Sequence, residues 1–104
     1  MHSKDFRRVY DQGFRYAGPY FAAFCVREAE ELGPRVGFTL PRALGNAVAR
    51  NRIKRRVREA VRLHLGGLSP QWSIVINPRR KAHDAPLAEL EREVERLLAR
   101  CNGS

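Results

Sequence analysis

Long hydrophobic runs are absent from this 104-residue sequence, and cysteine is scarce. No apolar run approaches the roughly 18–20 residues that a membrane-spanning helix needs, so no membrane span is expected. The first five residues contain no apolar stretch of the kind found in secretory signals. Only Cys25 and Cys101 are present, and in a chain without such a signal both thiols are expected to stay reduced. These absences predict a cytoplasmic protein.

Side-chain clusters that would support hydrolysis by the protein itself are also missing. A metal-dependent nuclease needs two or more carboxylates that converge on divalent ions. The pairs Glu89/Glu93 and Glu91/Glu95 have helical spacing, but they alternate with arginines that can neutralise them. The three histidines have no partner at ligand spacing, and the two cysteines form no zinc pattern. We therefore predict no catalytic residue and no metal ligand in this chain.

Positive charge is abundant and is concentrated in one segment. The chain has 20 Lys and Arg residues against 11 Asp and Glu residues, a formal charge of +9. Residues 42–62 contain eight basic residues and one acid, Glu59, and so carry +7 of that total. A solvated helix normally mixes its signs, so this concentration indicates a binding face for a polyanion.

Hydrophobic periodicity and capping residues predict three helices and three clear strands. The predicted helices span residues 4–12, about 46–64 and about 84 onward, and the predicted strands span 20–26, 35–40 and 72–76, with a short extra strand at 15–18. Ser3, Asn46 and Asp84 are the expected helix starts, with Pro86 just inside the last helix. A basic loop follows the third strand at 78–81. This order predicts one α+β two-layer domain over residues 1–104.

The central helix is predicted to have two faces with different roles. One arc is apolar and is expected to pack on the sheet: Ile53, Val57, Ala60 and Val61. The other arc is polar or cationic: Asn51, Lys54, Arg55, Arg58 and Arg62. Like charges at this spacing destabilise a helix by a few tenths of a kcal/mol per pair, and phosphates relieve the repulsion. Because arginine outnumbers lysine here and suits bidentate phosphate contacts, the pattern favours nucleic acid over a membrane.

Aromatic residues suggest a second surface near the amino terminus. Phe6 and Tyr10 share one face of the first helix, and Phe21 or Phe24 on the next strand could line a common groove with them. Aromatic side chains beside cations stack on unpaired bases, each stack contributing roughly 1–3 kcal/mol. The alternative is that these rings belong to the core. Alternation along the strand separates Phe21 from Phe24 but does not tell which one faces the helices.

Residues 50–58 form the motif Arg-Asn-Arg-x-Lys-Arg-x-x-Arg, preceded by Gly-Asn-Ala-Val at 45–48. With this motif the segment 35–60 resembles the protein subunit of bacterial ribonuclease P, and the resemblance extends over nearly the whole chain. It implies an α/β sandwich in which the motif helix joins two parallel strands by a left-handed crossover, against the usual preference. It also implies that the protein assists a catalytic RNA that removes the 5′ leader of precursor tRNA.

The resemblance further implies partners, cofactor and site residues. The partners are the catalytic RNA subunit and precursor tRNA, and the Mg²⁺ that supports hydrolysis is bound mainly by the RNA rather than by the protein. With Arg62 added from the cationic arc, the predicted RNA-subunit contacts are Arg50, Asn51, Arg52, Lys54, Arg55, Arg58 and Arg62. The predicted contacts with the single-stranded leader are Phe6, Tyr10, Phe24 and Arg42. After the second strand the family commonly has Ser-Lys-Lys, whereas this chain has Pro-Arg-Ala at 41–43, so Arg42 is the one cation left there.

Two other readings of the same residues remain open. The basic helix could serve an RNA-binding protein of another kind, such as a ribosomal component. It could also enter the major groove of DNA, although a helix-turn-helix would need a helix just upstream, where a strand is predicted. Alternatively, the cationic arc could be solvated, or it could pair with the acidic last helix of the same chain.

Overall fold

The computed structural model describes residues 3–31 and 33–103, with side chains from Phe6 onward. Three helices and four strands follow in the order α1, β1, β2, β3, α2, β4, α3. The helices are α1 (Ser3–Gln12), α2 (Ala47–His64) and α3 (Leu87–Asn102), and the strands are β1 (Phe14–Ala17), β2 (Phe21–Arg27), β3 (Arg35–Phe38) and β4 (Trp72–Pro78). Single 3₁₀ turns lie at Arg42–Leu44, Leu65–Gly67 and Arg80–His83. The predicted α+β fold is confirmed.

Several predicted boundaries differ from the structure. β1 and β2 are each displaced by one residue from the predicted ranges, and β3 ends at Phe38, two residues before the predicted end. β4 continues to Pro78, into the segment predicted as loop, because it pairs with β2 as far as Phe21. α3 has Pro86 as its N-cap in extended conformation. Asp84 does not cap it, since that carboxylate accepts a hydrogen bond from His83 at 2.9 Å instead. Ser3 belongs to α1, and the predicted cap through its side chain lies outside the described residues.

The four strands form one mixed sheet in the order β1-β2-β4-β3. β1 pairs antiparallel with β2, and β2 pairs antiparallel with β4. β3 pairs parallel with β4, with Val36 opposite Ile74 and Phe38 opposite Ile76. Parallel neighbours need a crossover connection, and α2 supplies it. This topology brings the carboxyl ends of β3 and β4 together with the start of α2.

The first face of the sheet packs on α2 and α3 and carries the main core. The predicted apolar arc of α2 is buried as expected, with Ile53 and Val57 fully inaccessible. The stripe on α3 is buried through Leu90, Val94 and Leu97. The strands contribute Phe21, Ala23, Cys25, Trp72, Ile74 and Ile76 to the same cluster. The structure thus places Phe21, which is 0% exposed, in the core and not in a groove.

The second face of the sheet is covered only in part, by α1. Val9 and the central Val75 are fully buried there, and Ala22 is 6% exposed. Tyr10 meets Phe24 edge to face, with ring centroids 4.6 Å apart. The short α1 therefore adds a third layer to the predicted two-layer sandwich and leaves aromatic rings at the border of the uncovered part.

The start of α2 is defined by Gly45 and Asn46. Gly45 has φ of 127°, a backbone conformation that disfavours a side chain. The Asn46 side chain accepts a hydrogen bond from the amide of Ala49 at 2.9 Å, which satisfies one of the amides left unpaired in the first turn. The predicted cap is confirmed, and it sets the position of every later side chain on α2.

The two cysteines are buried, free and adjacent to each other. Cys25 lies on β2 and Cys101 on α3, each 1% exposed. The hydrogen bond between the two thiols is the main reason that the pKa of Cys25 is raised, and burial adds to it. A raised pKa suppresses the thiolate, which is the reactive form. Cys25 is therefore an unreactive part of the core, while the same hydrogen bond lowers the pKa of Cys101.

A buried carboxylate attaches α3 to the turn between β1 and β2. Both oxygens of Glu93 accept from the amide of Tyr20, at 3.1 and 3.2 Å, and the residue is 0% exposed. A Cβ on Gly18 would lie 1.7 Å from Glu93 Oε1, so only glycine leaves room for this contact. Burial raises the pKa of Glu93, and the Tyr20 amide and nearby arginines oppose that rise.

We expect Glu93→Gln to change the pH dependence of stability. The raised pKa means that the folded state holds the Glu93 proton more tightly than the unfolded chain does. The wild-type protein therefore loses stability as pH rises from the ordinary carboxyl value of about 4.5 through the raised folded pKa, and the glutamine variant does not. The variant's unfolding free energy relative to wild type should increase over that window in urea titrations. Glu31→Gln, at an exposed site, is the control, and a pH-independent difference would contradict the prediction.

Candidate nucleic-acid interface

The outward side of α2 presents a shallow cationic depression. It is lined by Val48, Asn51, Lys54, Arg55 and Arg58, and we call these five residues the cationic face. Their spacing places them on one arc because the opposite arc is held in the core. Val48 is 75% exposed, an unusual position for a large apolar side chain. The face thus combines three charges and an amide with one apolar contact point.

The charges of the cationic face are not neutralised by the acids of the same chain. Within the described residues, no ion pair at 4 Å or less involves Lys54, Arg55 or Arg58. The acids of α3 are engaged elsewhere: Glu89 pairs with Arg92 at 2.8 Å, and Glu91 and Glu95 approach His64. The alternative in which the acidic helix pairs with the cationic arc therefore finds no support.

Among the described residues, Arg62 is the member of the predicted arc that has a close acidic partner. Its Nη2 donates to Glu59 Oε1 at 2.8 Å, one turn earlier on α2. This hydrogen bond is the main reason that the pKa of Glu59 is lowered and that of Arg62 raised. Arg58 also lowers the pKa of Glu59, through its charge. Because the Arg62 pair is exposed, it restrains the side chain only weakly.

Arg50 and Arg52 project away from the cationic face. Arg50 is half-buried, and its Nη1 donates to the carbonyl of Leu40 at 3.5 Å, beyond the end of β3. Arg52 Nε donates to the carbonyl of His83 at 3.1 Å, and its Nη2 lies 4.0 Å from Asp84. Of the seven predicted RNA-subunit residues, the structure thus brings four together in the cationic face, and the remaining three lie at its borders.

Arg56 belongs to the same helix and was not among the predicted site residues. Its Nε donates to the carbonyl of Ala82 at 3.4 Å, and its Nη2 donates to that of Ala85. Arg56 is half-buried because it lies between the apolar arc and the cationic arc of α2. The helical spacing of Arg52 and Arg56, four residues apart, is the sequence signal that they share a direction.

The predicted leader residues of α1 and β2 form an aromatic surface on the second face of the sheet. It consists of Phe6, Tyr10 and Phe24, all half-buried. Phe6 lies one helical turn before Tyr10, so both project from the same side of α1. The edge-to-face contact of Tyr10 with Phe24 keeps part of each ring accessible while fixing its orientation. The structure therefore brings these three rings to one region.

A polar group that sequence reasoning missed lies beside the aromatic surface. Asn77 Oδ1 accepts a hydrogen bond from the Tyr10 hydroxyl at 2.9 Å and another from the Thr39 hydroxyl. These bonds connect α1 to the carboxyl ends of β3 and β4. Only the register of three strands and one helix brings these residues together, so no local pattern could have predicted the contact.

Arg42 is distant in the sequence from the residues of the aromatic surface, but it lies at the same end of the sheet. It is exposed in the 3₁₀ turn Arg42–Leu44, which follows β3 and precedes α2. No contact between Arg42 and the rings is present among the described residues. Its assignment to the leader stays a prediction.

The described residues contain no group of three or more His, Cys, Asp or Glu side chains that could hold a metal ion. Two carboxylates, Glu28 and Glu93, are already engaged, Glu28 by Arg8 at 2.7 Å and Glu93 by the amide of Tyr20. The described carboxylates, histidines and cysteines therefore do not fit a magnesium site.

None of the helices in the described part of the chain has the length and hydrophobicity of a membrane span.

Comparison with known proteins agrees with this geometry. A model of the Ribonuclease P family matches residues 1–102. The chain is 38% identical over 99 residues to the ribonuclease P protein component of Acidothermus cellulolyticus, covering 94% of this chain and 82% of that protein. It is 41% identical over 95 residues to that of Symbiobacterium thermophilum, covering 91% and 83%.

Solved structures give the same result for the fold. The RNase P protein of Staphylococcus aureus superposes with a TM-score of 0.81 at 29% identity, covering 95% of this chain and 90% of that one. The RNase P protein of Thermotoga maritima gives a TM-score of 0.81 at 27% identity, covering 93% and 91%. The fold is therefore that of the small α+β proteins of ribonuclease P. The chain belongs to the ribonuclease P protein family.

Removal of two charges from the cationic face should leave the fold intact. We expect the double substitution Arg55→Ala and Arg58→Ala to change the free energy of unfolding by only a few tenths of a kcal/mol, because lost like-charge repulsion and alanine's helix propensity offset small losses. Urea titration with circular dichroism measures it. A loss of more than about 2 kcal/mol would show that the face is structural.

Proposed function

We propose that this protein is the protein subunit of a ribonuclease P holoenzyme and that it binds the catalytic RNA through the cationic face. This proposal is supported by one observation: Lys54, Arg55 and Arg58 lie on one rigid helix with no acidic partner within 4 Å among the described residues. Neutralised phosphates release counterions, and that release drives binding. Arg50, Arg52 and Arg62 border the face and remain predicted contacts of the same RNA.

The aromatic surface is proposed to hold the single-stranded 5′ leader of precursor tRNA. Unpaired bases stack on Phe6, Tyr10 and Phe24, while Arg42 at the same end of the sheet contacts the leader backbone. Stacking is tolerant of sequence because every base has a π-face, which suits leaders of varied sequence. Preference for precursor over mature tRNA follows, since only the precursor has a leader to place there.

The hydrolytic step is assigned to the RNA subunit with its Mg²⁺, not to side chains of this protein. The protein reduces the electrostatic repulsion between leader, RNA and substrate by supplying cations where the polyanions meet. Leader removal then gives the mature 5′ end of tRNA. In this proposal the protein supplies positive charge for binding, and the catalytic groups belong to the RNA subunit.

Loss of two cations from the cationic face should weaken binding of the cognate ribonuclease P RNA. With about six phosphates neutralised, the slope of log K against log salt should be about −4 to −5, and Arg55→Ala with Arg58→Ala should reduce its magnitude by about 1.5. Filter-binding titrations at several salt concentrations measure both slopes.

Arg27→Gln is the matched control, since Arg27 is exposed and lies at the opposite end of the sheet beside Trp72. A wild-type slope near −1 would contradict the model. A 5′-leader cleavage assay with the RNA subunit distinguishes the other readings: a protein of ribosomal type gives no stimulation, and a DNA-binding protein prefers duplex DNA in competition.

Phe6→Ala should reduce the preference of the reconstituted holoenzyme for precursor over mature tRNA. The loss of one stack of roughly 1–3 kcal/mol corresponds to about 5- to 150-fold in affinity for the precursor, with mature tRNA unaffected. Competition binding of the two RNAs measures the ratio. Phe14→Ala would perturb the core instead, because that ring packs on Trp72, so Phe24→Ala is the better companion variant. An unchanged ratio in both would remove the rings from the leader site.

A further inference from the structure

An apolar groove of about 290 Å³ lies between β3 and α2, on the first face of the sheet. β3 is an edge strand, so Val36 and Phe38 are only half-buried, although their partners Ile74 and Ile76 on β4 belong to the core. A groove whose apolar walls are bordered by polar residues marks an interaction site. We call it the edge groove and define it by six of the residues that line it: Val36, Phe38, Arg58, Val61, Arg62 and Leu65.

The helix side of the edge groove is a single stripe of α2. Arg58, Val61, Arg62 and Leu65 follow one another at intervals of three and four residues, which places them on one side of the helix. Val61 is 6% exposed and forms the floor, whereas both arginines are exposed at the rim. The groove therefore combines apolar walls with a cationic rim.

The two arginines at the rim differ in their acidic contacts. Arg62 donates to Glu59 Oε1 at 2.8 Å. Arg58 lowers the pKa of Glu59 through its charge, but it has no acidic partner within 4 Å among the described residues. Glu59 lines a different depression, together with Arg52. Arg58 is therefore the rim group that can bind an anion without the loss of a close ion pair.

The edge groove is continuous with the cationic face. Arg58 lines both of them. A polyanion that follows the cationic face along α2 therefore reaches the rim of the groove without leaving the helix. At that point the surface changes from one that suits phosphate groups to one that suits an apolar group.

A nucleotide with an unpaired base has the chemistry that fits both parts of this surface. Its phosphate is an anion, and its base has an apolar planar face. RNA-binding proteins commonly take up unpaired bases from loops and bulges and stack them on aromatic rings. The volume of the groove lies just below the roughly 300–1,000 Å³ of small-molecule pockets, so it suits one planar group. A neutral apolar peptide would leave Arg58 without a counterion.

We propose that the edge groove holds one unpaired base of the RNA subunit, stacked on Phe38, while Arg58 binds the phosphate of the same nucleotide. The proposal rests on the proposed function, since it takes the RNA subunit as its partner. Val61 and Leu65 pack on the base from the side of α2. The aromatic surface assigned to the leader lies on the other face of the sheet, so the two sites do not compete.

The first test separates stacking from charge by the salt dependence of binding. Phe38→Leu keeps an apolar side chain but removes the ring. In filter-binding titrations with the cognate ribonuclease P RNA, it should bind about fivefold more weakly, the lower end of the range for one base stack. The slope of log K against log salt should not change, because no cation is lost. Arg58→Gln should reduce the magnitude of that slope by about 0.7–0.9.

Two further variants control this test. Leu63→Gln replaces an apolar side chain of α2 that is 53% exposed and lies outside the groove, and it should bind like the wild type. Circular dichroism in urea shows whether Phe38→Leu disturbs the fold. If it does, Val36→Thr keeps the test decisive, because it preserves the shape of the wall and should weaken binding about threefold through one lost methyl contact.

The second test identifies the base. A photoreactive phenylalanine analogue incorporated at position 38 should crosslink to an unpaired nucleotide of the RNA subunit in the reconstituted holoenzyme. When that nucleotide is made abasic, Phe38→Leu should no longer weaken binding, because the ring has lost its partner. Additive effects of the two changes would overturn the proposal. Crosslinks to precursor tRNA or to a second copy of the protein would do the same.

Three results distinguish failure of this inference from failure of the proposed function. Groove variants that bind like Leu63→Gln, while the double variant Arg55→Ala with Arg58→Ala binds weakly, would overturn only the inference. A smaller salt slope for Phe38→Leu would show that the variant displaces cations, and would overturn it too. A wild-type protein that neither binds the RNA subunit nor stimulates cleavage would overturn both.

Discussion

The burial of one arc of α2 against the sheet is the constraint on which the rest of the molecule depends. Ile53 and Val57 are fully buried, so the helix cannot rotate about its axis without exposing them. Burial of two such side chains contributes several kcal/mol, roughly 1.5–3 kcal/mol each. Repulsion within the cationic face costs only a few tenths of a kcal/mol per pair. The core therefore holds the like charges of the cationic face on the outward side of α2, where a partner can bind them.

The arginines of α2 divide into two groups by their direction. Arg55 and Arg58 face outward without an acidic partner in the described chain, whereas Arg52 and Arg56 donate to the carbonyls of the turn after β4. In a ribonuclease P protein, a single basic motif can therefore supply both charge for binding and support for a neighbouring loop. Substitutions at adjacent positions of the motif therefore remove different groups: outward charge at Arg55 and Arg58, and hydrogen bonds to the turn at Arg52 and Arg56.

The local sequence was sufficient for the helices, for the faces of α2 and for the family. The Asn46 cap, the buried arc and the order of elements are confirmed, because capping residues and hydrophobic spacing are visible within a few turns of chain. The start of α3 was wrong, since Asp84 is engaged by His83. The Asn77 bond to Tyr10 was missed, because it joins residues 67 positions apart through a sheet register that no periodicity reveals.

The amino-acid sequence by itself determined that this chain has a cationic helix with an apolar back, since spacing along a helix fixes which residues share a side. Only the tertiary structure decided which strand face meets that helix, and hence that Phe21 is core while Phe24 borders the open face. It also decided which arginines of α2 lack an acidic partner among the described residues. Both outcomes depend on carbonyls and rings brought together from distant segments, and packing of the whole chain is what brings them there.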